Sequence, residues 1–357
     1  MRTLHHCLIA IPLALIAVVT AALCHHAPTN AQPAKPQPFV EVPDTVSPLA
    51  RKYLESFPDP NTLPPWPAPD DLAGWKRSWE ATEAAHEPLV QATLKRYQPT
   101  VSELKIGGIP VLEIKPKGWK DNGKILIHTH GGAYTLHSAH SRLTSSVPAA
   151  DATGLRVISI DYANAPQGKW EKVTDQVLAV FDGLTTDGIK LKDIAIYGES
   201  AGGALAAGAV LKMRDKGMGM PAAVVLWSPW ADIANRGDSA ITMKNYDPLY
   251  IYEKHLKHAA DAYAASADQK HPYVSPVYGD YSKGFPPTLI QGGTRELFLS
   301  HCVRQYRAVD DASVEAVLDL YEGMPHVFQM RLELAEAPET RVAFKKMKAF
   351  LKKHLGG

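Results

Sequence analysis

From residue 99 onward, short apolar runs alternate with helix-length segments, and this alternation allows only a few folds. The runs are KILIHTH, LRVISIDY, DIAIYGES, AAVVLWSP, PTLIQGG and VEAVLDLYEG. Strands that are apolar throughout and separated by helices pair in parallel, because each helical crossover returns the chain to the same end of the sheet. Residues 99–357 are therefore predicted to form an α/β domain with a mostly parallel central sheet flanked by helices.

Two further segments are expected to cover this sheet. Residues 32–98 begin with a proline-rich lead-in and continue into a stretch in which Trp75 and Trp79 lie near helical spacing, behind Asp70 or Asp71 as the N-cap. A long insert, about 232–284, separates two of the strands, and a helix is expected to begin there at Asp247 and Pro248. Both segments are predicted to contribute to a helical cap.

The N-terminus has the order of a secretory signal peptide. Arg2 precedes a sixteen-residue apolar run from Leu8 to Leu23, and a polar, proline-containing stretch follows. We expect residues 1–31 to be removed after Ala31, which predicts an exported protein, periplasmic or secreted, with no stable membrane span after cleavage. An N-terminal membrane anchor is the alternative, although sixteen residues fall short of the ~20 that a helix needs to cross a bilayer.

Charge and cysteine content exclude some classes of protein. The chain has 38 Lys and Arg against 37 Asp and Glu, and no basic run exceeds a pair, so nucleic-acid binding is not expected. Of its three cysteines, only Cys302 lies beyond the predicted signal peptide. The exported chain therefore has no internal disulfide and depends on packing for its stability.

A nucleophile is predicted at Ser200. The apolar run DIAIY leads into Gly198-Glu199-Ser200-Ala201-Gly202, and an alanine-rich helical segment follows. A serine on a tight turn between a strand and a helix has its hydroxyl forced outward, and the small residues let the two elements pack closely. Phosphate-binding loops fit less well, because neither GxGxxG nor GxxxxGK[ST] occurs.

The segment HGGA, at the end of the run KILIHTH, predicts an oxyanion hole. Small residues allow the N–H groups of Gly131, Gly132 and Ala133 to approach a substrate oxygen together with that of Ala201. The alternative is a metal site built from the four histidines of this region, His128, His130, His137 and His140. This loop lacks the acidic ligands that would complete such a site, so neither a metal nor a cofactor is expected.

The acid and the base of a triad are predicted at Glu296 and His326. Glu296 follows the run PTLIQGG, and His326 follows VEAVLDLYEG, which gives the order serine, acid, histidine known for triads on α/β sheets. Asp232 and Asp319 are rival acids, but the first follows an earlier strand and the second lies inside the last one. Both are interpreted as structural.

Four motifs together resemble the hormone-sensitive-lipase-like family of α/β-hydrolases, also called bacterial family IV. They are HGGA, GESAGG, SPW followed by Asp232, and EGMPH. The resemblance implies the α/β-hydrolase fold with a helical cap, ester hydrolysis without a cofactor, and oxyanion donors at Gly132, Ala133 and Ala201. Two departures are Ala133 in place of a third glycine, and DYANAPQ where the family has DYRLAPE.

The sequence thus predicts a serine carboxylic-ester hydrolase for short- to medium-chain acyl esters, acting through a Ser-His-Glu triad and an acyl-enzyme. A lactone or amide hydrolase with the same residues is an alternative within the class. A non-catalytic ligand-binding protein on a hydrolase scaffold is an alternative of another class. The expected partner is a small-molecule ester, and the sequence leaves open whether the chain forms a homodimer.

Overall fold

The structure is a computed structural model that describes residues 42–356. The signal peptide and cleavage site predicted in residues 1–31 lie outside these residues, as does the first part of the proline-rich lead-in.

An eight-stranded sheet forms the centre of the described chain, in the order β1-β2-β4-β3-β5-β6-β7-β8. The strands are β1 (Thr100–Ile106), β2 (Ile109–Lys115), β3 (Ile125–Thr129), β4 (Arg156–Ile160), β5 (Ile194–Glu199), β6 (Ala223–Trp227), β7 (Thr288–Arg295) and β8 (Ala316–Pro325). Strands β3 to β8 pair in parallel, whereas β1 and β2 pair antiparallel with their neighbours. The predicted α/β class with a mostly parallel sheet is confirmed.

The hairpin of β1 and β2 was not among the six predicted strands. Gly107 and Gly108 form its two-residue turn with φ of 56° and 78°, values that favour glycine. β1 lies at the sheet edge, and several of its residues are exposed. Two glycines between short runs with alternating apolar residues are a hairpin signal, so this element could have been predicted from the sequence.

Helices cover both faces of the sheet. They are α1 (Pro48–Leu54), α2 (Leu72–Tyr97), α3 (Leu143–Thr153), α4 (Trp170–Thr186), α5 (Ala201–Asp215), α6 (Ser239–Thr242), α7 (Lys257–Tyr263), α8 (Leu299–Asp310), α9 (Phe328–Arg331) and α10 (Pro338–Leu355). Side chains alternate across each strand, so Ile125 and Ile127 pack with α4 and α5, whereas Leu126 packs with α2, α3 and α10. The strands from β3 to β6 are buried almost throughout, because both of their faces are covered.

The predicted helix of residues 72–97 is present, and Asp71 rather than Asp70 caps it. Its carboxylate accepts the N–H of Gly74 at 2.8 Å, which satisfies one of the free donors at the helix N-terminus. The helix ends at Gln98, where φ of 50° stops the helical path. Trp75 is buried, whereas Leu72 is exposed at the first turn.

The prediction that a helix begins at Asp247 and Pro248 is wrong. The carboxylate of Asp247 accepts the N–H groups of Leu249 and Tyr250 at 2.7 and 3.0 Å, which closes a turn instead of opening a helix. Ile251 is extended, and helical structure begins only at Tyr252, as a five-residue π-helical segment, Tyr252–Leu256, that leads into α7. The same carboxylate also accepts the N–H of Leu297 at 2.8 Å, so it joins the insert to the segment after β7.

Parallel strands β3 to β8 place their carboxyl ends at one edge of the sheet, where α/β proteins bind ligands. His130, Ser200, Glu296 and His326 each follow directly after one of these strands. The fold therefore brings the loops of the predicted site to a common edge.

Within residues 42–356, no helix has both the length and the apolar character needed to cross a bilayer.

Candidate active site

Ser200 lies at the turn from β5 to α5 in a strained backbone conformation, with φ of 59° and ψ of −124°. A side chain at either flanking glycine would be excluded: a Cβ at Gly198 would lie 2.3 Å from the carbonyl oxygen of Gly202, and one at Gly202 would lie 2.0 Å from that of Thr129. The Ser200 N–H donates to the carbonyl of Trp227 at 2.9 Å, which fixes the turn against β6. The tight turn predicted from the motif is therefore present.

His326 and Glu296 form a buried pair. The imidazole Nδ1 and the carboxylate Oε2 are 2.6 Å apart, and both side chains are almost completely buried. The other carboxylate oxygen, Oε1, accepts hydrogen bonds from Ser228 Oγ at 2.9 Å and from the Gly293 N–H at 2.8 Å. These contacts fix the orientation of the Glu296 carboxylate, and the carboxylate in turn fixes the orientation of the His326 ring.

The pairing determines which imidazole nitrogen is available. Burial raises the pKa of Glu296, whereas the hydrogen bonds from Gly293 and Ser228 and the charge of Arg331 favour its ionised form. In that form the carboxylate accepts the proton on Nδ1, so the free lone pair lies on Nε2. Nε2 of His326 is buried and has no hydrogen-bond partner within residues 42–356. Burial lowers the pKa of His326 well below its usual range, and Arg331 adds to the effect. The ring is therefore neutral at neutral pH and can accept a proton.

The loop after β3 presents main-chain N–H groups beside the serine. A Cβ at Gly131 would lie 3.2 Å from the Cβ of Ser200, which places this loop against the nucleophile turn. The N–H groups of Gly132, Ala133 and Ala201 donate to no other residue in the described part of the chain. Three free donors near a serine can stabilise an oxyanion.

Gly131 is a different case from its neighbours. Its N–H donates to Glu199 Oε1 at 3.0 Å, inside a buried network. Because a buried carboxylate already accepts this proton, Gly131 is not one of the free donors, and the prediction that included it is revised. Ala133 has φ of 52°, a left-handed conformation that the usual third glycine of this motif would adopt more readily.

Known proteins share both sequence and fold with this chain. A family model described as the alpha/beta hydrolase fold matches residues 126–330. The acetyl-hydrolase of Streptomyces hygroscopicus is 33% identical over 239 residues, which are 66% of this chain and 78% of that protein. The solved structure of esterase E25 superposes with a TM-score of 0.81 at 30% identity, over 91% of this chain and 99% of that one. An esterase of the bacterial hormone-sensitive lipase family gives a TM-score of 0.72 at 29% identity, over 77% and 91%.

The chain belongs to the hormone-sensitive-lipase-like α/β-hydrolases. The resemblance inferred from the four motifs is thereby confirmed, and with it the α/β-hydrolase fold and the assignment as an enzyme of the serine hydrolase type.

The two rival acids of this hydrolase lie in other contacts. Asp232 is buried and pairs with Arg304, and it also accepts from the Tyr278 hydroxyl at 3.2 Å and from the Arg236 N–H at 3.0 Å. Asp319 accepts from Gln291 Nε2 at 2.9 Å and pairs with Lys346. Neither carboxylate has a hydrogen bond to His326 among the described residues, and both have the structural surroundings that were predicted.

The four histidines considered as metal ligands have separate partners in this hydrolase. His128 Nε2 lies 2.7 Å from Glu199, and its Nδ1 lies 2.8 Å from Ser159 Oγ. His130 stacks on Tyr162, with ring centroids 4.0 Å apart. The other two contact helix α2 of the cap. The His137 ring packs against the His86 ring, and the exposed His140 lies beside the Glu87 carboxylate.

Ser228, the serine of the SPW motif, is a site residue for which the sequence predicted no role. Its hydroxyl donates to Glu296 Oε1 and accepts the Val327 N–H at 3.0 Å, so it connects the acid to the residue after the histidine. Two residues later, the Trp230 N–H donates to the Ser200 carbonyl at 2.8 Å. The segment after β6 thus contacts the loops of all three predicted triad members. The sequence signal for Ser228 was its position directly after β6, a strand that ends at the same edge of the sheet as those before the triad residues.

The cap and the insert of this hydrolase meet above the site. The Trp66 N–H donates to the Lys254 carbonyl at 2.9 Å, and the Trp66 ring packs edge-on to Tyr250 at 6.0 Å. Tyr250 in turn lies 5.6 Å from the His326 ring, measured between centroids. From α2, Trp79 Nε1 donates to the His137 carbonyl at 3.0 Å. Trp66, His137 and Tyr250 line a cavity of about 90 Å³, and Tyr250 places it next to the His326 ring.

Proposed function

We propose that the chain hydrolyses carboxylic esters through Ser200, His326 and Glu296 by way of an acyl-enzyme. The observation that supports this best is the 2.6 Å contact between His326 Nδ1 and Glu296, because it leaves Nε2 as the basic nitrogen of a neutral ring. No hydrogen bond joins Nε2 to Ser200 Oγ among the described residues, and such contacts often tighten only when substrate binds.

The proposed reaction has two acyl transfers. Ser200 Oγ attacks the ester carbonyl while Nε2 of His326 takes its proton, and the N–H groups of Gly132, Ala133 and Ala201 bind the oxyanion. The imidazolium then gives the proton to the leaving alcohol. Water, deprotonated by the same nitrogen, attacks the acyl-enzyme, and Ser200 leaves with its proton restored. Glu296 remains ionised and stabilises the imidazolium at each step.

The proposed substrates are short- to medium-chain acyl esters. Similarity to an acetyl-hydrolase supports small acyl groups, and similarity to solved esterases supports ester substrates in general. The cavity of about 90 Å³ under the cap also limits the length of the group that it can hold.

Replacement of the nucleophile tests the mechanism. Ser200→Ala is expected to fold normally and to lose on the order of 10⁶ in kcat toward p-nitrophenyl esters, as when a triad nucleophile is removed. Ser313→Ala is a matched control, because Ser313 is exposed and has the same φ of 59° outside the site. EDTA is expected to leave the activity unchanged. Near-normal turnover by Ser200→Ala would contradict the serine mechanism.

We also propose that the protein is exported, on the basis of the apolar run in residues 8–23. The intact mass of the protein recovered from a secreting bacterial host should match a chain that begins near Gln32. Full-length chain in the membrane fraction would instead support the N-terminal anchor.

A further inference from the structure

The cavity beside His326 contains two arginines and no carboxylate. We call it the arginine pocket, and its walls include Trp66, His137, Arg142, Tyr250 and Arg331. Two of its residues contact the base: Tyr250 packs on the His326 ring, and Arg331 Nε donates to the His326 carbonyl at 2.9 Å. On the other side, a Cβ at Gly132 would lie 2.9 Å from the His137 ring. The walls do not include Ser200 or His326, but through Tyr250, Arg331 and His137 the pocket adjoins both the base and the oxyanion loop.

Arg142 is a buried cation with few partners. Only 5% of the residue is exposed, Nε is buried without a hydrogen-bond partner, and Nη1 contacts the thioether of Met330 at 2.9 Å. Arginine keeps its proton at any ordinary pH, so this charge stays in the protein interior. A buried cation without a paired anion is destabilising, and an anionic ligand at Arg142 would relieve that cost.

Acidic groups near the two arginines are mostly engaged by other residues. Glu199 accepts from His128, Gly131 and Ser145. Asp247 accepts three main-chain N–H groups. Glu83 accepts from Ser138 Oγ at 2.6 Å through Oε2, whereas its Oε1 is buried without a hydrogen-bond partner, and the residue is not part of the pocket wall. None of them forms an ion pair with Arg142 or Arg331 in the described chain.

The three histidines of the pocket, His86, His137 and His255, do not add to this positive charge. Burial lowers the pKa of His86 to about 3 and that of His137 well below its usual range, and in both cases the charge of Arg142 adds to the effect. Burial also lowers the pKa of His255 to about 4, so all three rings are neutral at neutral pH. The arginines are then the charged groups that face the cavity.

We propose that the arginine pocket binds a carboxylate carried by the substrate, so that the preferred substrates are short esters with a second, ionised carboxyl group. This rests on the proposed function, since it assigns the substrate class of the same site. A planar guanidinium matches a carboxylate with paired hydrogen bonds, which an alkyl chain cannot satisfy. The small cavity admits only a short spacer between the ester and the anion.

Two matched pairs of substrates test this and identify the side that carries the charge. On the acyl side, p-nitrophenyl hydrogen glutarate is compared with p-nitrophenyl pentanoate. On the alcohol side, 4-acetoxybenzoate is compared with 4-acetoxybenzamide. After subtraction of spontaneous hydrolysis, we expect kcat/KM of the wild type to favour the charged ester at least about 10-fold in one pair, near the low end of what a charge-assisted hydrogen bond provides.

Variants assign the preference to the pocket. In the favoured pair, Arg142→Gln is expected to lower the ratio of charged to neutral kcat/KM by about 10- to 100-fold, and Arg142→Lys to restore part of it. Arg307→Gln, which removes an exposed arginine of α8, is the control and should leave the ratio unchanged. An unchanged ratio in Arg142→Gln, or a wild type that prefers the neutral ester in both pairs, overturns the inference.

Binding can be measured without turnover and without altering the arginines. Calorimetric titration of Ser200→Ala should show glutarate binding at least about 10-fold more tightly than glutaramide, and equal affinity would overturn the inference. Hydrolysis of the neutral esters with no preference for charge would refute the anion subsite alone. If the wild type hydrolyses none of the four esters, the proposed function itself fails.

Discussion

At the scale of single residues, the choice of acid is the most informative feature. Glutamate is one methylene longer than the aspartate usual in such triads, and Glu296 still reaches Nδ1 of His326 at 2.6 Å. β7 continues through Arg295, so Glu296 begins directly after the strand, with Gly293 and Ser228 holding its second oxygen. The longer side chain is thus held in place by one main-chain N–H group and one hydroxyl group.

Glu296→Gln is expected to fold normally and to lose on the order of 10³ to 10⁴ in kcat, because an amide favours the wrong imidazole tautomer. Turnover of p-nitrophenyl acetate, with circular dichroism to verify folding, measures this. Asp232→Asn is the control and should cost far less in kcat. If Glu296→Gln keeps more than a tenth of the activity while Asp232→Asn abolishes it, the assignment of Glu296 as the acid is wrong.

Chain order was sufficient to propose Ser200, Glu296 and His326. They follow strands β5, β7 and β8, and parallel strands end at one edge of the sheet. Sequence reasoning missed Ser228 and the engaged N–H of Gly131, because both depend on hydrogen bonds between loops far apart in the sequence. Arg142 was missed for the same reason, because its burial without an ion-pair partner is a tertiary property.

At the scale of elements, the cap is expected to determine which substrates fit. The 3.6-residue spacing predicted α2, but the start of the helical segment after Asp247 was misplaced, because a side-chain turn competed with the helix N-cap for the same carboxylate. The consequence is that Tyr250 lies in an irregular segment rather than in a helix. Its ring fills the space between Trp66 and His326.

Chain-length preference should depend on this ring. The wild type is expected to prefer acyl chains of roughly eight carbons or fewer, and Tyr250→Ala to extend activity toward longer chains, because truncation opens the cavity. The measurement is kcat/KM for p-nitrophenyl acetate, butyrate, octanoate and palmitate. Tyr246→Ala, an exposed tyrosine of the same insert, should leave the profile unchanged. Palmitate as the best wild-type substrate would refute the expectation.

At the scale of the whole molecule, buried histidines are expected to dominate the way in which stability depends on pH. Burial lowers the pKa of each of the following histidines: His86, His130, His137, His255, His301 and His326. The pKa is about 3 for His86 and His326 and about 4 for His130, His255 and His301, compared with 6.5 for an ordinary imidazole. The unfolded chain therefore binds protons on these rings at a pH where the folded chain does not.

The sign follows from linkage. A group whose pKa is depressed on folding stabilises the fold fully above its unfolded pKa, and that stability is lost as the pH falls toward the folded value. Each ring can remove up to about 1.4 kcal/mol per pH unit between pH 6.5 and about 4. Burial raises the pKa of Asp247 to about 6 and that of Glu296 above its usual value. These two carboxyl groups stabilise the fold as the pH falls, but they are fewer than the histidines that destabilise it.

Stability is therefore expected to fall steeply between pH 6.5 and pH 4. Urea denaturation at half-unit intervals from pH 8 to pH 4.5 measures the free energy of unfolding. His86→Gln removes one titrating ring and should flatten the slope, whereas His140→Gln, at an exposed position, should leave it unchanged. A free energy of unfolding that stays constant or rises from pH 6.5 to 4.5 would show that these rings are protonated in the folded protein, contrary to their burial.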